Sequence, residues 1–167
     1  EHQVALYIDF HGHSRLHGTF IYGCPNPTCE ELRDTEKIFP RVLSYISDLF
    51  SWNSCIFSFP KERKSASRIV ARTEINIVNS FTIETSFGGV ASGPRSGILY
   101  DQALWEEFGS KTGLAIFHYL NTNESPVYSY VKQEMEFISP KLLPFDKQQQ
   151  NATELHVSYQ IEDEEPN

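Results

Sequence analysis

The side chains best suited to chemistry fall in two short stretches of this 167-residue chain. The first is Asp9-Phe10-His11-Gly12-His13-Ser14, directly after the apolar run Val4 to Ile8. A neutral imidazole is a good zinc ligand, and a catalytic zinc takes three protein ligands and keeps a fourth position open for water. Histidines two apart project to the same face of a strand, whereas in a tight loop only one of them reaches a given ion. The pair by itself reads as one ligand of a metal site or as two ordinary polar loop histidines. The second stretch is Ser80-Phe81-Thr82-Ile83-Glu84-Thr85-Ser86-Phe87. A carboxylate within so apolar a strand is costly to desolvate. Glu84 therefore reads as a general base in a cleft, as the partner of a salt bridge to Arg68 or Arg72, or as a residue on an exposed sheet face. The other histidines (His2, His17, His118, His156) are scattered, and no His-x-x-Glu or His-Glu-x-x-His motif occurs. His118, between Phe117 and Tyr119, reads as a satisfied packing residue.

These residues need rigid supports. Val4 to Ile8 predicts a buried strand that stops at Asp9, placing both histidines at a strand end, where α/β sheets gather polar chemistry. Thr19 to Tyr22 predicts a short strand, and Gly23-Cys24-Pro25-Asn26-Pro27 breaks regular structure. Thr28 can cap a helix with Glu30 and Glu31 in its first turn. Pro40 either splits that helix or opens a second one. Val42, Leu43, Ile46, Leu49 and Phe50 have helical spacing. Cys55 to Phe59 predicts a short strand, and Ser67 to Ile77 a strand or a short helix–strand piece. Ser80 to Phe87 alternates as a strand, with Phe81, Ile83, Thr85 and Phe87 on one face and Thr82, Glu84 and Ser86 on the other. The glycine-rich loop Gly88 to Gly97 lacks the Gly-Lys-Ser/Thr ending of a phosphate loop and reads as a surface crossing. Asp101 caps a helix from Gln102 to Leu120 that presents Leu104, Phe108, Ala115 and Tyr119. The order of elements predicts an α/β layer fold.

Composition narrows the class. A hydrophobic share of 40%, with twelve Phe and eight Tyr, is globular. A net charge of -8 and the lack of a basic stripe argue against nucleic acid. No run of about 18 apolar residues suggests a membrane span. The start at Glu1, without Met or a leader pattern, is expected of a fragment or processed chain. Three cysteines (Cys24, Cys29, Cys55) suggest reduced intracellular thiols with packing roles. Asn151-Ala152-Thr153 fits a glycosylation sequon that is idle in that setting. Ile161 to Pro166 reads as a solvated acidic tail.

Longer runs point to a family. Asp9-Phe10-His11-Gly12-His13-Ser14-Arg15 followed by Phe20-Ile21-Tyr22-Gly23-Cys24 resembles the cytosolic carboxypeptidases, a branch of the M14 zinc carboxypeptidases. So do Ser67-Arg68-Ile69-Val70 and Asn79 to Gly88, and so does the closing Gly93-Pro94, Gly97 and the helix from Asp101. The resemblance covers about residues 4 to 120, with Gly88 and Ala71 replacing a usual cysteine and tryptophan. It implies a mixed central sheet flanked by helices, here its C-terminal portion. Residues 1–122 would be the C-terminal part of the catalytic domain, and 123–167 an extension with a disordered acidic tail.

The resemblance also implies roles. His11 matches the third zinc ligand, and Glu84 the general base that acts on the attacking water and passes its proton to the leaving amine. Arg68 matches an arginine near the pocket for the C-terminal side chain, where a guanidinium can grip a carboxylate. His13 would contact substrate or support the ligand. The cofactor would be one Zn2+, with its other ligands upstream. The substrates would be glutamate-rich polypeptide C-terminal tails, tubulin above all, in the cytoplasm, with no nucleic acid and no membrane involved. Lys61, Arg63 and Lys64 read as a solvated charge run or as added attraction for polyglutamate. The other reading is a catalytically incomplete chain that only binds acidic tails or a partner protein.

Overall fold

A computed structural model describes residues 4–26, 34–60 and 64–138. The expectations for Thr28, Glu30, Glu31, Lys61, Arg63, the sequon and the acidic tail fall outside them, as do Cys29, His2 and His156. The described strands are β1 (Tyr7–His13), β2 (Thr19–Gly23), β3 (Ile56–Phe57) and β4 (Ser80–Ser86). The helices are α1 (Ile38–Ile46), α2 (Ser67–Thr73), α3 (Gln102–Leu120) and α4 (Pro126–Ile138). The strands form one sheet in the order β1-β4-β2-β3. β1 runs parallel to β4, β2 antiparallel to β4, and β3 parallel to β2. The sheet is thus mixed and flanked by helices, as the α/β expectation has it.

One sheet face is apolar. Ile21, Phe81 and Ile83 pack there against Phe39, Val42 and Leu43 of α1 and Phe108, Ala115 and Tyr119 of α3. The Phe39 ring meets Phe81 and Tyr119 at centroid distances of 5.5 and 5.6 Å. The other face is polar and is approached by α2: the Ser80 hydroxyl donates to the Arg68 carbonyl at 2.7 Å. Asp101 caps α3 as expected, its Oδ1 accepting from the Leu104 amide at 2.9 Å. Pro40 sits in the first turn of α1, where its missing N–H costs nothing.

Several boundaries differ from expectation. β1 does not stop at Asp9; it runs on through His13, because β4 offers a ladder partner for each residue from Tyr7 to His13. The histidines therefore stand within a strand, not in a loop after it. α1 ends at Ile46, short of Leu49 and Phe50. Ser47 turns extended, and Ser and Asp readily bond local backbone in place of continuing a helix. Leu49 and Phe50 are nonetheless buried, and Phe50 bridges to Thr19. Residues 67–77 form a helix and a turn, with the Ile77 amide donating to the Ala71 carbonyl at 2.9 Å.

The extension expected from residue 123 opens with α4. Ser125 accepts from the Tyr128 amide at 2.9 Å and caps it, and Pro126 takes the first helical position. His118 Nδ1 lies 3.0 Å from the same Ser125 hydroxyl, which satisfies it at the packed end of α3. Tyr128, Val131 and Met135 place α4 in the core, and Arg41 of α1 donates to Glu134 at 2.9 Å.

Candidate catalytic site

The site grows from the pairing of β1 with β4. Register sets His11 opposite Glu84, Asp9 opposite Thr82 and His13 opposite Ser86. Adjacent strands lie about 4.8 Å apart, and alternate residues share a face. Asp9, His11 and His13 thus line the same polar face as Thr82, Glu84 and Ser86. From β2 the pairings Phe20–Glu84 and Tyr22–Thr82 add two aromatic rings to that face.

Glu84 is 9% exposed at the middle of β4. Its Oε2 lies 3.7 Å from His13 Nδ1. The His13 ring stands edge-on to Phe20 at 5.1 Å between centroids. His13 Nε2 is buried and has no hydrogen-bond partner among the described residues. His11 is the open member of the group, its side chain 53% exposed against 24% for Asp9. Its Nε2 lies 3.0 Å from Asp9 Oδ2, an oxygen that also accepts from the Ser67 hydroxyl at the start of α2.

Next along the chain from Ser67, Arg68 is 5% exposed. Its guanidinium carbon sits 5.4 Å from the centre of the Tyr22 ring, close enough for a cation–π contact. Tyr22 is opposite Thr82 and Phe20 opposite Glu84. Arg68 therefore lies one same-face position along the strand from Glu84. The structure brings His11, His13 and Glu84 together on adjacent strands, and sets Arg68 beside them on Tyr22. Asp9, Ser67, Phe20 and Tyr22 also belong to this group, and their motifs alone assigned them no role. The spacing of Asp9 and His11 is the signal for the first, once the strand is carried through His13.

The donor set suits a metal ligand in part. His11 Nδ1 has no hydrogen-bond partner among the described residues, so one imidazole nitrogen is available on the strand position opposite Glu84. Among the described residues no group of three His, Cys, Asp or Glu side chains can hold a metal ion. The chemistry of His11 suits a single metal ligand, and the described residues alone do not complete a site. No described helix is long and apolar enough to cross a membrane.

A carboxylate on β4 thus stands opposite a histidine on β1, on the polar face of a mixed sheet, and solved structures share the fold. A metallo-carboxypeptidase from Burkholderia cenocepacia superposes with a TM-score of 0.59 at 18% identity, over 72% of this chain and 31% of that one. A second, from Pseudomonas aeruginosa, gives 0.56 at 22% identity over 69% and 32%. This is the metallo-carboxypeptidase fold, over about a third of its length. No protein-family model matches the chain.

Relatives by sequence are closer. Cytosolic carboxypeptidase 3 of Bos taurus is 33% identical over 138 residues, 80% of this chain and 14% of that protein. Cytosolic carboxypeptidase 2 of Danio rerio is 40% identical over 98 residues, covering 58% and 14%. Cytosolic carboxypeptidase 1 of Homo sapiens is 34% identical over 118 residues, covering 64% and 10%. The chain belongs to the cytosolic carboxypeptidase family, and spans about one seventh of the length of the first two of these relatives.

Proposed function

We propose that this chain forms the C-terminal part of the catalytic domain of a cytoplasmic zinc metallocarboxypeptidase. Its substrates are glutamate-rich protein C-termini such as tubulin tails. The observation that carries the reading is the register of β1 on β4, which sets His11 opposite Glu84 on one polar sheet surface. His11 is the metal ligand in this chain, and the remaining ligands come from polypeptide outside it. The metal, when bound, lowers the pKa of water and polarises the scissile carbonyl.

The chain's own residues do the rest. Glu84 stands on a rigid central strand, takes a proton from the attacking water and returns it to the leaving amine. Its surroundings of Phe20 and His13 limit competing solvent at the carboxylate. Arg68, held on Tyr22, offers a planar fork that suits the carboxylate of a C-terminal glutamate. His13, beside Glu84, borders the space where the substrate backbone would lie.

The test uses the complete protein and a polyglutamate-tailed peptide. Glu84→Gln should lower kcat by about 10²–10⁴-fold with little change in KM, because the group acts on the proton in flight. His11→Ala should abolish glutamate release. Full activity in Glu84→Gln overturns the reading. Peptide binding by calorimetry without any glutamate release would replace it with a binding-only role.

A further inference from the structure

We propose that Asp9 is the positioning residue of His11: its carboxylate fixes the imidazole with Nε2 protonated and leaves Nδ1 as the atom that takes the metal. This rests on the reading of His11 as a metal ligand. The geometry is specific. One oxygen, Asp9 Oδ2, lies 3.0 Å from His11 Nε2 and also accepts from the Ser67 hydroxyl. A carboxylate only accepts, so His11 Nε2 must be the donor. In a neutral imidazole the other nitrogen then holds the lone pair, which is the form a metal binds. Nδ1 has no hydrogen-bond partner among the described residues.

The exposures point the same way. Asp9, at 24%, is the sheltered end of the pair, and His11, at 53%, is the open end. The anchor is inside and the ligand reaches out. Both stand on β1, two residues apart on one face, so the strand sets their separation. Ser67 ties the same oxygen to the first residue of α2, next to Arg68. Asp9 thereby links the ligand to the helix that carries the guanidinium. A partner of this kind for a ligating histidine raises its basicity and restricts its rotation.

The measurement is zinc affinity of the complete protein, by competition with a chromogenic chelator, so that no turnover is needed. Asp9→Ala should weaken zinc binding by about 10–100-fold. Asp9→Asn keeps an acceptor oxygen and should lose less. Ser67→Ala should lose less than Asp9→Ala. In the zinc-free protein, the His11 imidazole ¹⁵N shifts should report one tautomer, protonated at Nε2, and a mixture in Asp9→Ala. If Asp9→Ala fails to fold, Asp9→Asn and Ser67→Ala still decide the question by affinity and tautomer.

Zinc affinity within twofold of wild type in both Asp9 variants, with unchanged tautomer, overturns the proposal. Unchanged affinity in His11→Ala shows instead that His11 is not a ligand, and the proposal falls with that reading. Loss in His11→Ala without loss in the Asp9 variants removes only the role of Asp9.

Discussion

Burial decides the chemistry of the two described thiols. Cys24 donates to the Arg68 carbonyl at 3.6 Å, and Cys55 to the Ser51 carbonyl at 3.6 Å. Desolvation pushes Cys24 up to about 11, outweighing the nearby Arg68 and Arg72, and pushes Cys55 up to about 12. The thiolate is the reactive form, and little of it exists at pH 8 when the pKa is this high. Iodoacetamide at pH 8 should leave both residues unmodified in the native protein and alkylate both in urea. Peptide mapping by mass spectrometry reads the difference, and rapid native labelling of either would contradict the packing described here. Cys24 is a core side chain and Cys55 packs partly buried against the core, the packing roles expected of them.

At the scale of elements, a buried polar network joins the turn before α1 to α2. Asn26 donates to Thr35 and to Glu36 at 3.2 Å each and accepts from Arg72 at 3.2 Å. Desolvation pushes the Glu36 carboxyl up to about 7, against the opposing pull of its backbone amide, Lys37 and Asn26. A carboxyl raised in the folded state keeps its proton there after the unfolded chain has lost its own. Folding stability from this group therefore falls as pH rises from about 4.5 to about 7, then levels off. A rise from 4.5 to about 7 corresponds to a change on the order of 3 kcal/mol. Glu36→Gln should remove that slope and gain on the native protein above pH 7. Urea denaturation of both proteins from pH 4 to pH 8 checks it, and parallel curves would refute it. Ion pairs elsewhere have the opposite sense: Arg41 holds Glu134 low, and Arg95 holds Asp48 and Glu107 low. Their stabilisation is lost in acid, which is why the variant comparison, not the native curve alone, isolates Glu36.

For the whole molecule, β1 is an edge of the sheet among the described residues. Unpaired backbone groups on an edge strand recruit further strands. Phe10 on that strand is 59% exposed, and Phe87 beyond β4 is 68% exposed with its ring across Gly12. The combination of a strand edge and exposed aromatics favours association. The 167-residue chain alone should self-associate with rising concentration in analytical ultracentrifugation. Phe10→Lys places a charge on the edge and should shift the distribution toward monomer. A monomeric wild-type chain at high concentration would refute this.

What the residues alone determined was local. Alternation marked β4, the Asp101 cap set the start of α3, and the runs around His11 and Glu84 named a family whose fold the superpositions share. These signals depend on neighbours within a few positions, and such spacing is written in the chain. Tertiary structure decided the rest. β1 continues through Asp9, Gly12 and His13, residues with little strand preference, because β4 lies alongside and supplies the ladder. That added length is what puts Asp9 on the face of His11. α4 lies outside the predicted elements although Tyr128, Val131 and Met135 have helical spacing, and its helix is stabilised by the packing of these residues in the core. The pairing of His11 with Glu84 joins residues 73 positions apart. Only the sheet register could place them together, because spacing within one strand says nothing about which strand lies beside it.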